Sequence, residues 1–130
     1  MSSFTSPLIV SPLLDGKSWR LYKSFTYRIG SRYSKRKIAV PSSFITDFAS
    51  IPKFLWWLPY WAKFNKSAVI HDWLYHIKRI EGEGSITRKE ADDIFYEAML
   101  IDLRHQGLGK VIAFMEYWAV RLAGGLAWKS

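Results

Sequence analysis

The chain has 130 residues, 49% of them apolar and 17% aromatic, which sets the expectation of one core-forming domain over 1–130 and excludes a disordered chain. It has no cysteine, which excludes a disulfide framework, a thiolate metal site and a thiol nucleophile. The net charge of +8 is uneven: Lys17, Arg20, Lys23, Arg28, Arg32, Lys35, Arg36 and Lys37 run without an acid among them, while acids cluster between Asp72 and Asp102.

The first part, 1–52, reads as strands and loops. Leu8-Ile9-Val10 is a short apolar run between Pro7 and Pro12, and Asp15-Gly16 signals a turn. From Trp19 to Ile29 apolar and polar residues nearly alternate, which predicts a half-buried strand, or two with a kink. Lys37 to Val40 is a further strand, stopped by Pro41. Ser42 to Pro52 reads as loop.

The second part, 53–130, reads as mainly helical. A helix is expected from Lys66 to Arg79, capped by Asn65 or Ser67. Ile80 to Ser85 carries two glycines and reads as loop. Thr87-Arg88-Lys89-Glu90 has the spacing of a capping box, in which the hydroxyl and the carboxylate satisfy each other's backbone N–H groups. The helix behind it should reach about Arg104, with Gly107 past its end. A last helix should run from Gly109 to Ala123 and stop at Gly124-Gly125. The fold class is therefore α+β: a small β-rich N-terminal part followed by three helices.

Helical spacing gathers a set of polar groups. His71 and Tyr75 are four apart and share a face, with Asp72 one step around the helix. On the next helix Asp92 falls within the apolar stripe of Ala91, Phe95, Ala98 and Met99, while Asp93 falls toward the other side. A carboxylate on a core-facing stripe is costly without a partner. A short loop favours antiparallel packing of the two helices, which makes His71 and Tyr75 the nearest partners. Asp92 then accepts a hydrogen bond from one ring nitrogen of His71 and leaves the other to take a proton from water or a substrate hydroxyl. Asp72 is placed to bind a hard cation, with Asp47 as a second carboxylate. The same cluster also reads as a structural polar knot that ties a loop to two helices.

Two resemblances meet at these residues. The chain from about Leu8 to Trp128 resembles the phage and prophage family called domain of unknown function 1353. It does so through Val40-Pro41, Thr46 to Pro52, Ala68 to Tyr75, Ala91-Asp92 with Phe95, and Tyr117 to Arg121 with Gly124. That resemblance implies a phage virion or bacterial host cytoplasm as location. The helical half is also similar to secreted phospholipase A2, especially the small bacterial members. The carrying motifs are His71-Asp72-x-x-Tyr75, Asp92-x-x-Phe95 and the stretch from Tyr117 to Gly124. This second resemblance implies a calcium-dependent ester hydrolase acting on a phospholipid. His71 would be its general base, Asp92 the orienting partner, Tyr75 the support of Asp92, and Asp72 a calcium ligand. The chain departs from that pattern in lacking cysteine and in having no glycine between Ser31 and Tyr75.

The partners follow from the same residues. Phe54 to Trp61 is an aromatic run that suits a lipid interface, a core, or a contact with another subunit or phage structural protein. It is too short to span a bilayer. The N-terminus lacks the charged start and cleavage site of a signal peptide. No nucleic-acid motif accompanies the basic block. The non-enzymatic alternative is a minor virion or tail component whose His/Asp cluster is structural. A metal phosphohydrolase would need more histidines than His76 and His105, and neither has helical spacing to His71.

Overall fold

The structure is a computed structural model and describes residues 3–4, 8–16, 18–30, 35–46, 65–125 and 128. Its N-terminal part holds β1 (Ser3–Phe4), β2 (Val10–Pro12), β3 (Trp19–Leu21), β4 (Phe25–Arg28), β5 (Lys37–Val40) and β6 (Ile45–Thr46). They form two small antiparallel sheets, in the orders β1-β4-β5 and β2-β3-β6. The alternating stretch from Trp19 is thus two strands, in separate sheets. In the first sheet Phe25 pairs with Val40 and Tyr27 with Ile38, and all four side chains are buried. Such cross-strand pairs hold a sheet to its core. β6 lies inside a stretch that reads as loop, because its order comes from pairing with β3 and two residues carry no periodicity.

Three helices follow among the described residues: α1 (Lys66–Ile77), α2 (Arg88–Asp102) and α3 (Gly109–Ala123). The α+β class is as expected. The Asn65 side chain caps α1 by accepting from the Ala68 N–H at 2.9 Å. α1 stops two residues before Arg79 because Lys78 turns left-handed at φ 56 and donates its N–H to the Leu74 carbonyl. Between α1 and α2 the expected loop is a small hairpin of β7 (Arg79–Ile80) and β8 (Gly84–Ser85). Gly82 and Gly84 supply its positive φ angles of 83 and 88, which side-chain-bearing residues rarely adopt. The capping box of Thr87 and Glu90 starts α2 as the spacing predicts. α3 has the predicted bounds.

The helices pack antiparallel in sequence order. Asp102 at the end of α2 accepts the Ser67 N–H at the start of α1, at 2.8 Å. At the other end of the pair, Tyr75 reaches Asp92. Between α2 and α3, Tyr117 donates to Asp93 and Arg121 to Asp92. α2 therefore lies between two apolar clusters. Ala91, Ile94 and Ala98 join α1 and the strands, whereas Phe95, Met99 and Leu103 join Ile112, Ala113, Ala119 and Val120 of α3. Each large side chain fully buried there stabilises the fold by about 2 kcal/mol. The polar site sits where the two clusters meet.

Candidate functional site

α1 turns His71 and Tyr75 toward α2, one helical turn apart, with ring centroids 4.2 Å from each other. The His71 ring also packs on Phe95, at 4.4 Å between centroids. On α2, Asp92 is fully buried and faces both. Its Oδ1 lies 2.7 Å from His71 Nε2 and accepts the Tyr75 hydroxyl at 2.6 Å. Its Oδ2 accepts from Arg121 Nη1 at 2.9 Å, and Arg88 Nη1 stands 3.6 Å away. The two guanidiniums match the buried carboxylate with positive charge.

The electrostatics assign the donors. Burial alone would push Asp92 up. The hydrogen bonds from His71 and Tyr75, the attraction of the His71 ring whenever it is protonated, and the bond from Arg121 outweigh it, so the carboxyl stands below its ordinary range. An ionised carboxylate only accepts, so His71 Nε2 carries a proton toward it. Burial, and then the bond to Asp92, hold Tyr75 far above the ordinary phenol range, so it stays a donor. In the neutral imidazole the proton-free nitrogen is then Nδ1. That atom is buried and has no hydrogen-bond partner among the described residues.

A backbone clamp closes the cluster. Arg88 donates to the carbonyls of Val120 and Arg121 at the end of α3, both at 3.1 Å. Gly124 follows directly. A Cβ there would lie 2.7 Å from the Tyr75 hydroxyl oxygen and 3.3 Å from Arg88 Nη1. The position is thus restricted to glycine by close approach. Trp128 sets its ring edge-on to Tyr75 at 5.1 Å, under the Lys78 ammonium.

Residues 19–120 match the family described as protein of unknown function (DUF1353). The chain belongs to this family. No curated protein and no solved structure matches the chain. The span matched to DUF1353 contains His71, Tyr75, Arg88 and Asp92 and ends one residue before Arg121.

In this DUF1353 chain the structure brings together His71, Tyr75 and Asp92 of the expected site. Asp72 is half-buried, one step around α1 from His71. Asp47 and the aromatic run from Phe54 to Trp61 lie outside the described residues. Among the described residues no group of three or more His, Asp or Glu side chains is arranged to hold a metal ion.

Three residues escape the sequence reading. Arg88 had a legible signal, since it precedes Asp92 by the four residues of a helical ion pair. Arg121 had none, because its bond to Asp92 depends on how α3 meets α2. Glu116 falls at the spacing of the buried face of α3, yet its carboxyl is fully buried with no hydrogen-bond partner among the described residues. Burial raises it to about 8.

A pocket of about 450 Å³ lies on the opposite side of α1, walled by Trp73, Ile77, Lys37 and the β7-β8 hairpin. None of His71, Tyr75 and Asp92 lines it. It is a separate feature from the polar cluster.

Proposed function

We propose that this DUF1353 protein is an ester hydrolase in which His71 is the general base. The carrying observation is the asymmetry of the imidazole: Nε2 is committed to Asp92, and Nδ1 is left without a partner among the described residues. A base needs one nitrogen fixed and the other free of a competing hydrogen bond; the buried Nδ1 meets that condition among the described residues, and the reaction requires water and ester to reach it. Nδ1 takes a proton from water as the water oxygen attacks the ester carbonyl, and Asp92 stabilises the imidazolium that forms. The tetrahedral intermediate then collapses, the acyl C–O bond breaks, and the imidazolium returns the proton to the departing alkoxide, which leaves carboxylic acid, alcohol and neutral His71. Tyr75 and Arg121 hold Asp92 in place during that step. An oriented base of this kind contributes roughly 10²–10⁴-fold to the rate.

The resemblance to phospholipase A2 supplies the substrate class, a phospholipid, and adds calcium with Asp72 and Asp47 as ligands. No step of the reaction above is routed through that ion. The resemblance to phage proteins supplies the setting. The test is hydrolysis of dispersed phospholipid and of a short-chain ester by wild type and His71→Ala, with and without chelator. Turnover that falls about 10²-fold or more in His71→Ala supports the base. Turnover unchanged in that variant refutes it, and turnover insensitive to chelator removes calcium from the reading.

A second reading has its own observation. His71 is 1% exposed, and Asp92 already binds two helices to its own. A closed, ion-paired cluster also suits a structural knot in a minor virion or tail protein. Co-purification with particles, together with no hydrolysis of either substrate, would favour it.

A further inference from the structure

Leu108, Val111, Phe114, Trp118 and Leu122 are three or four residues apart, and so form one stripe along α3 and the turn before it. All are exposed, from 48% at Trp118 to 84% at Leu122. The opposite face of α3 is buried against α2 through Ile112, Ala113, Ala119 and Val120. The stripe is thus not a failed core face but a second apolar face, turned outward. Phe114 and Trp118 pack edge to face at its centre, with centroids 6.4 Å apart.

Charge selects the occupant. The one acid of α3, Glu116, is fully buried, so the exposed surface of the helix carries no negative charge. Lys110 is exposed on the helix, and Arg104 is exposed in the turn before it. The nearby Asp93 is engaged by Lys89 and Tyr117. The whole chain carries +8. A second copy brought face to face would set like charge against like, which is unfavourable. An apolar helical face with Trp, Phe and Leu, edged by cations, fits a headgroup boundary that is negatively charged.

We infer that the outer face of α3 docks on an anionic lipid surface, with Phe114, Trp118 and Leu122 entering the headgroup boundary. This docking does not depend on hydrolysis. It is read as binding, without turnover, and His71→Ala should retain it.

The experiment is co-sedimentation of the full chain with vesicles of phosphatidylcholine alone and of phosphatidylcholine mixed with phosphatidylglycerol. The comparison variant carries Phe114→Ser and Trp118→Ser, two exposed positions whose replacement leaves the core intact; circular dichroism verifies its fold. The wild type should sediment with the anionic vesicles, more weakly as salt is added, and the variant should bind roughly tenfold less. Three outcomes overturn the inference: no sedimentation, equal binding by the variant, and equal binding to neutral vesicles. A dimer that forms without vesicle binding and is lost in the variant would give the face to a second copy, and also overturns it.

Discussion

His71 Nε2 and Asp92 Oδ1 lie 2.7 Å apart in a site from which water is almost excluded, and they come from different helices. That one bond joins the packing of α1 on α2 to the chemistry available at the imidazole. The same carboxylate takes Arg121 from α3, so all three helices meet at Asp92.

Losing the charge on Asp92 should therefore be costly. Asp92→Asn leaves the cationic groups of Arg88 and Arg121 beside a neutral amide in a buried setting. The expected loss is about 3–5 kcal/mol, the range for breaking a buried ion pair. Asp93→Asn should cost much less, because Asp93 is exposed, its ion pair is with an exposed lysine, and an amide oxygen can still accept from Tyr117. Urea unfolding of both variants reads the difference, and equal midpoints would refute the burial asymmetry.

Gly124 offers a test by added bulk. Gly124→Ala puts a methyl against the Tyr75 hydroxyl and Arg88, and should destabilise by about 1–3 kcal/mol. Gly125→Ala is the control, since a Cβ there meets nothing within 4 Å. Thermal unfolding should separate the two. A Gly124→Ala midpoint no lower than that of Gly125→Ala would contradict the close approach of the Val120 carbonyl, at 2.6 Å, and the Tyr75 hydroxyl, at 2.7 Å, to this position.

Glu116 gives a pH dependence with a definite sign. Its ordinary value is 4.5, and burial raises it to about 8 in the folded protein. Between these values the folded chain holds a proton that the unfolded chain has released. Stability from this group is therefore full below 4.5 and falls as pH rises toward 8, by roughly tenfold in the folding equilibrium per pH unit. Asp92, held low, acts in the opposite sense and in a lower window: its contribution is present above the ordinary carboxylate range and is lost as pH falls. Glu116→Gln should remove only the first slope. Unfolding titrations of wild type and variant that run parallel from pH 4.5 to 8 would contradict this.

Much of the fold was readable because the relevant signals are local. The capping box at Thr87, the cap at Asn65 and the end of α3 at Gly124 are decided by short-range backbone needs. Asp92 was readable for a different reason: a carboxylate among Ala91, Phe95 and Ala98 must have a partner, and helix spacing leaves few. β6 and the β7-β8 hairpin were not readable, since strands of two residues exist only through their pairing. Arg121 escaped for the same reason, as its role depends on the register of α3 against α2. The outer stripe of α3 was readable in spacing, but which of its two apolar faces is buried is decided only by packing.

The central claim is that His71 is held by Asp92 through Nε2 and keeps Nδ1 as its proton-accepting atom. Nitrogen NMR of protein labelled at histidine tests it most directly, with the ring neutral. The expected result is a His71 ring with its proton on Nε2, a proton-free Nδ1, and loss of that single form in Asp92→Asn. A His71 ring protonated at Nδ1, or one whose tautomers are unaffected by Asp92→Asn, would contradict it.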